Sequence, residues 1–235
     1  MQAILFDLDG TLLPVDTMKF VSKYFKAVAA WFTHLFPPDQ FQRLLWKAVS
    51  VMIETSHPKE TNAEAFVRAF QDVTRLAPEK FMPTFEQFYR EGFPKLKDGI
   101  TPNPQAARVV DLSRALGYKV VLATNPVYPE NAILQRIEWA GLKPEQFDLI
   151  TTYENMHACK PSLDYFTELV GLIRCKPNEC LMVGNDTLED IVAREVGINT
   201  FLAEEFLIDS PKGHTPHWRG SLADLEGLLL KFHGD

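Results

Sequence analysis

Short apolar runs alternate with helix-length amphipathic stretches everywhere outside residues 15 to 96, and this alternation restricts the possible folds more than any other feature of the chain. The runs are QAILF (2–6), YKVVLA (118–123), FDLIT (147–151), CLMVG (180–184) and INTFL (198–202). Between them lie helix signals: NPQAARVVDLSRALG closing on Gly117, PENAILQRIEWAG closing on Gly141, PSLDYFTELVGLI, and TLEDIVAREVG closing on Gly197. Proline near a first turn and glycine just past a last one are the punctuation expected of helices. Strands alternating with helices of this length read as an α/β domain whose parallel sheet has helices on both faces.

Residues 15 to 96 interrupt the pattern. They show helix periodicity only, as in Met18, Val21, Phe25, Val28, Phe32 and Leu35, with breaks at Pro37-Pro38, His57-Pro58 and Ala77-Pro78. Of the 27 aromatic residues in the chain, 15 fall in this stretch, which suits a small helical bundle filling its core with large side chains better than a dedicated aromatic ligand box. An all-helical module is therefore expected between the first strand and the rest of the α/β domain.

At 235 residues and 46% hydrophobic, the chain is long enough to bury a full core. Lys and Arg number 24 against 31 Asp and Glu, for a net charge of −7 without a dense basic run, so nucleic acid is not an expected partner. Three cysteines, Cys159, Cys175 and Cys180, are too few for a disulfide framework and fit a reducing cytosol. Zinc is disfavoured because Cys175 and Cys180 lack a second ligand pair, His157 beside Cys159 being only a weak hint. The apolar stretch AVAAWFTHLF (27–36) has about half the length a membrane span needs, and acids at 7 and 9 interrupt any leader-like run. A soluble cytoplasmic protein with no membrane partner is expected.

In a parallel sheet the residues that follow each strand collect along one edge, where open α/β folds bind ligands. After the first strand come Asp7 and Asp9; after the second, Thr124 and Asn125; after the third, by way of a loop, Lys160; after the fourth, Gly184, Asn185, Asp186 and then Asp190. Each alone has an ordinary explanation, a solvated turn for the DxDGT loop or a helix N-cap for Thr124 and Asp186. Together they place two acidic loops, a hydroxyl and a cation on one edge. Carboxylates converging in one cleft need a cation between them, and oxygen ligands without a His or Cys cluster favour Mg²⁺. On this reading Asp7 attacks phosphorus as nucleophile, Asp9 serves as general acid and base, and Thr124 and Lys160, with Asn125 beside them, bind the phosphoryl oxygens.

FDLDGT, the strand ending LATN, Lys160 in KPS, and VGNDTLED, in that order, resemble the four motifs of the haloacid dehalogenase-like hydrolase superfamily. The resemblance implies a Rossmann-like catalytic core over residues 1–14 and 97–235, and a helical cap over 15–96 similar to that of the phosphoglycolate phosphatase and β-phosphoglucomutase branch. It assigns the same roles to Asp7, Asp9, Thr124 and Lys160, and makes the backbone oxygen of Asp9 a metal ligand. Dehalogenases of the superfamily lack the second acid, so Asp9 implies phosphoryl transfer to water, with transfer to a sugar hydroxyl, as in a phosphomutase, the alternative. One position departs from the pattern: where relatives carry VGDxxxxD, this chain has Asn185. Either the Asn185 amide oxygen ligates the metal, or Asp186 does, with Asp190 as the second acid. The loss of one formal charge also leaves open a protein that binds a phosphorylated ligand without turnover.

Overall fold

The first strand, β1 (Ala3–Phe6), is buried on both faces, which is why AILF is apolar without alternation. The computed structural model describes residues 1–56 and 58–234. β1 is followed by α1 (Thr17–Trp31), α2 (Pro38–Glu54), α3 (Asn62–Thr74), α4 (Met82–Gln87) and short π and 3₁₀ turns through Lys97, and the chain then enters α5 (Pro104–Ala115) and β2 (Lys119–Leu122). The segment expected to be helical is helical throughout its described elements. The sequence break at His57 lies outside the described residues.

The remaining elements are α6 (Glu130–Trp139), β3 (Leu149–Ile150), α7 (Leu163–Ile173), β4 (Cys180–Gly184), β5 (Asn199–Ala203), β6 (Trp218–Gly220) and α8 (Leu222–Gly234). The six strands form one sheet in the order β3-β2-β1-β4-β5-β6, and every pairing is parallel. From β1 the chain steps outward to β2 and β3, then returns to β4 on the other side of β1. That reversal leaves a crevice beyond the carboxyl ends of β1 and β4, the place where ligands bind in such sheets.

The pleat divides the core into two layers. Ile4, Phe6, Val120, Leu122, Leu181 and Val183 face one side and pack with α5, α6 and α8, while Ala3, Leu5, Val121, Cys180 and Met182 face the other and pack with Phe166 and Leu169 of α7. The inserted helices belong to the first layer. Phe93 stacks on Trp139 of α6 with ring centres 5.2 Å apart, and Tyr24 meets Tyr128 edge-on at 5.2 Å. Within the insertion Phe32, Phe41, Phe70 and Phe81 are completely buried, so most of its aromatics are core, as the sequence suggests.

One stretch differs from expectation. TLEDIVAREVG forms a turn and a 3₁₀ helix, Ile191–Val196, instead of an α-helix, because Asp186 and Asp190 bind backbone amides of their own loop. The segment after Leu202 contains the short edge strand β6, where Trp218 packs on Phe232 of α8 at 5.2 Å. Among the described residues no helix is long and apolar enough to cross a membrane.

Candidate active site

Asp7 extends β1 by one residue: its N–H donates to the Val183 carbonyl at 2.8 Å, which sets the side chain over the crevice. Lys160 Nζ reaches Asp7 Oδ1 at 2.9 Å and Asp190 Oδ1 at 2.6 Å, with its own side chain fully buried. Burial works to lower the Lys160 pKa, but the carboxylates of Asp190 and Asp7 outweigh it and hold the ammonium well above its ordinary range. Burial raises Asp7 to about 6; Lys160 opposes that shift and Asp190 adds to it.

Asp190 reaches Lys160 because its side chain lies across Gly184, where an added Cβ would fall 2.2 Å from Asp190 Cγ. Its second oxygen accepts the Asp186 N–H at 3.0 Å. Asp186 Oδ1 in turn accepts from the N–H groups of Leu188 (2.7 Å) and Glu189 (3.0 Å), which commits that oxygen to its own loop. Asn185 is oriented differently. Its Nδ2 donates to the Phe206 carbonyl at 2.6 Å, leaving Oδ1 pointing at the Thr11 hydroxyl, 3.3 Å away; the same hydroxyl lies 3.5 Å from Asp7 Oδ2. Gly10, at φ +75°, lets the first loop lie against Asn185, since a Cβ there would sit 2.3 Å from Nδ2.

Thr124 is buried, and its carbonyl is fixed by the hydroxyls of Thr151 (2.8 Å) and Tyr165 (3.0 Å). The Asn125 amide is already engaged: Oδ1 accepts from Lys160 N–H at 3.2 Å, and Nδ2 donates to the Lys160 carbonyl at 3.3 Å and to Glu189 Oε2 at 3.0 Å. It stitches the Lys160 loop in place. Glu189, which sequence reasoning passed over, is raised to about 7, chiefly by burial.

Asp9 forms an ion pair with Arg136 of α6. Arg136 is completely buried and lies between the rings of Phe20 (5.4 Å) and Tyr128 (4.7 Å). Burial pulls its pKa down to about 9, with the Asp7 charge opposing. Sequence reasoning missed this residue too, although a signal exists: position 136 shares a helix face with Ala132, Ile133 and Ile137, so an arginine interrupts an apolar stripe.

These pairs bring cations to the acidic edge from within the protein. Among the described residues no group of three or more His, Cys, Asp or Glu side chains is arranged to hold a metal. Lys160 and Arg136 neutralise much of the acidic edge from within the protein, and Asp186 turns to its own amides. A smaller all-oxygen set is left: Asp7 Oδ2 and Asn185 Oδ1, which both face the Thr11 hydroxyl. One or two carboxylates plus an amide oxygen suit a hard cation that keeps several waters, so the residues fit Mg²⁺. Cys159 Sγ accepts from Asn62 Nδ2 at 3.4 Å, and His157 Nδ1 lies 2.6 Å from Glu168 Oε1.

Two cavities, of about 310 and 650 Å³, lie where the inserted helices meet the core and share Glu86, Tyr89 and Asn131 as walls. Neither is lined by Asp7, Asp9, Thr124 or Lys160.

A parallel sheet with DxDGT at its switch point, a buried lysine opposite and an acidic loop after β4 defines a hydrolase class. The family model for haloacid dehalogenase-like hydrolases matches residues 1–196, and the chain belongs to that family. It is 23% identical over 204 residues to the pyrophosphatase PpaX of Bacillus cereus, an alignment covering 84% of this chain and 80% of that protein. Among solved structures it resembles a HAD phosphatase from Thermococcus onnurineus (TM-score 0.62, 20% identity, 97% of this chain and 98% of that one). It also resembles the L-2-haloacid dehalogenase of Xanthobacter autotrophicus (TM-score 0.57, 17% identity, 98% of each chain).

Proposed function

We propose that the protein is a Mg²⁺-dependent cytoplasmic phosphatase that hydrolyses a small phosphorylated metabolite through an aspartyl-phosphate on Asp7. The observation that carries this reading is the Asp7–Lys160–Asp190 cluster at the sheet switch point, with the second acid, Asp9, two residues beyond the first. Asp9 also separates this reading from dehalogenation, which has no use for a second acid to handle a leaving-group proton.

Asp7 attacks phosphorus, the ester oxygen departs and takes a proton from Asp9, and the phosphoryl group rests on the Asp7 carboxylate. Asp9 then removes a proton from water, whose attack on phosphorus releases phosphate and restores Asp7. The pair with Arg136 favours the Asp9 carboxylate, the form needed for activating water; its acid role requires the carboxyl to be protonated and to part from Arg136. Lys160 and Thr124 bind the transferring oxygens, and Asp190 keeps the Lys160 ammonium charged and aimed. Asp7, Asn185 and the backbone oxygen of Asp9 would hold Mg²⁺. When bound it supplies positive charge to the phosphoryl oxygens. Asn125 acts behind Lys160, and the inserted helices act as a cap that excludes bulk water and large substrates.

The test is phosphate release from p-nitrophenyl phosphate and a panel of small phosphate esters and pyrophosphate, with Mg²⁺ and with EDTA. Metal-dependent release is expected, and Asp7→Asn should reduce it below about a thousandth of wild type with the fold intact. Substantial turnover by Asp7→Asn would rule out the covalent route. A folded wild-type protein silent on the whole panel would rule out the phosphatase.

A further inference from the structure

Arg136 is charged, fully buried and under-used. A guanidinium presents five N–H donors in a planar fork, yet its one polar contact is Asp9, and its Nε and Nη1 meet no acceptor among the described residues. Donors left unpaired in the interior are costly, and an arginine held by a single carboxylate is a poor way to fill an apolar helix face. Its neighbours do not explain it: Phe20 and Tyr128 offer ring faces, which accept no conventional hydrogen bond. Its placement does point to a role. It adjoins the acid-base residue of the proposed reaction, and the two rings that clamp it come from opposite sides of one seam, Phe20 from the inserted α1 and Tyr128 from the core loop before α6. Separation of the inserted helices from the core along that seam would uncover the guanidinium next to Asp9.

We propose that Arg136 recognises a second anionic group of the substrate, a phosphate or carboxylate lying beside the phosphoryl group that Asp7 attacks. This rests on the phosphatase reading and narrows it to phosphoryl compounds with two anionic groups a few bonds apart. A tetrahedral or planar oxyanion can take two parallel N–H donors from the fork, which the Asp9 contact leaves free. Phe20 and Tyr128 would exclude water around that contact.

The test compares full-length wild type, Arg136→Met and Arg136→Lys for phosphate release with Mg²⁺ from three substrates. Inorganic pyrophosphate carries a second phosphate, phosphoglycolate a carboxylate, and phenyl phosphate neither. Arg136→Met should lose at least about tenfold more kcat/KM on one or both of the first two than on phenyl phosphate, mainly through KM, with partial recovery in Arg136→Lys. Whichever substrate loses more tells phosphate from carboxylate. An equal fall on all three overturns the proposal and makes Arg136 a positioning residue for Asp9; no change on any also overturns it. If wild type turns over none of the three, the phosphatase reading fails, and the Arg136 proposal is read by calorimetry of pyrophosphate and phosphoglycolate binding. There Arg136→Met should weaken binding by at least about tenfold, whereas equal affinity, or no binding by wild type, overturns it. Should Arg136→Met not fold, the same substrate comparison in Arg136→Lys decides, since lysine keeps the charge and loses the fork.

Discussion

Asp7 is raised to about 6 by burial even with Lys160 at 2.9 Å, so the free energy of removing this carboxylate from water exceeds what one ion pair returns. The sign of the linkage follows: an acid whose folded pKa lies above its ordinary 3.8 binds its proton more tightly when folded, so stability is lost as pH rises from 3.8 to about 6. In EDTA, chemical denaturation of wild type relative to Asp7→Asn should therefore show a gap that widens by on the order of 3 kcal/mol across that window, and a flat difference would mean that burial of Asp7 is not the cause. Asn185 makes a different prediction. Asn185→Asp adds the missing negative charge but loses the 2.6 Å donation to the Phe206 carbonyl. Magnesium titration should show tighter binding, while metal-free stability falls by about 1 to 3 kcal/mol.

Strand β4 and its loop show how an element prepares a site. Gly184 ends the strand because Asp190 must cross its backbone to reach Lys160, and Gly184→Ala would drive a methyl group into that carboxylate. The expected result is lower phosphatase activity together with a loss of about 1 to 3 kcal/mol in stability, read by initial rates and thermal melts. A variant with wild-type activity would show that Asp190 does not set Lys160. Strands β1 to β5 and the helices closing on Gly117 and Gly141 were legible because periodicity and turn chemistry are local. The 3₁₀ stretch Ile191–Val196 was not, since its composition suits an α-helix and only the capture of loop amides by Asp186 and Asp190 prevents one.

The two parts of the molecule share one hydrophobic layer. Rings of the insertion pack on Tyr128 and Trp139 of the core, so α1 and the sheet are coupled through a continuous apolar contact. Calorimetry should show a single unfolding transition, and Phe93→Ala, which empties the centre of the seam, should lower stability by about 3 to 5 kcal/mol across the whole molecule. Two separable transitions would show that the insertion folds on its own. Two cavities lie along the same seam, walled by residues of the insertion and of the core.

By itself the sequence determined the parallel α/β core, the helical stretch after the first strand and the edge on which Asp7 and Lys160 meet. Period, turn residues and the common direction of parallel strands suffice for these. Tertiary structure alone decided the charge partners. Lys160 lies 153 residues from Asp7 and joins it to Asp190, Arg136 leaves its helix stripe to pair with Asp9, and Asn125 is spent on the Lys160 backbone. It also turned Asp186 to its own loop and Asn185 toward Thr11. Side-chain direction at a loop depends on which distant groups packing brings within hydrogen-bond reach, and no local pattern encodes that.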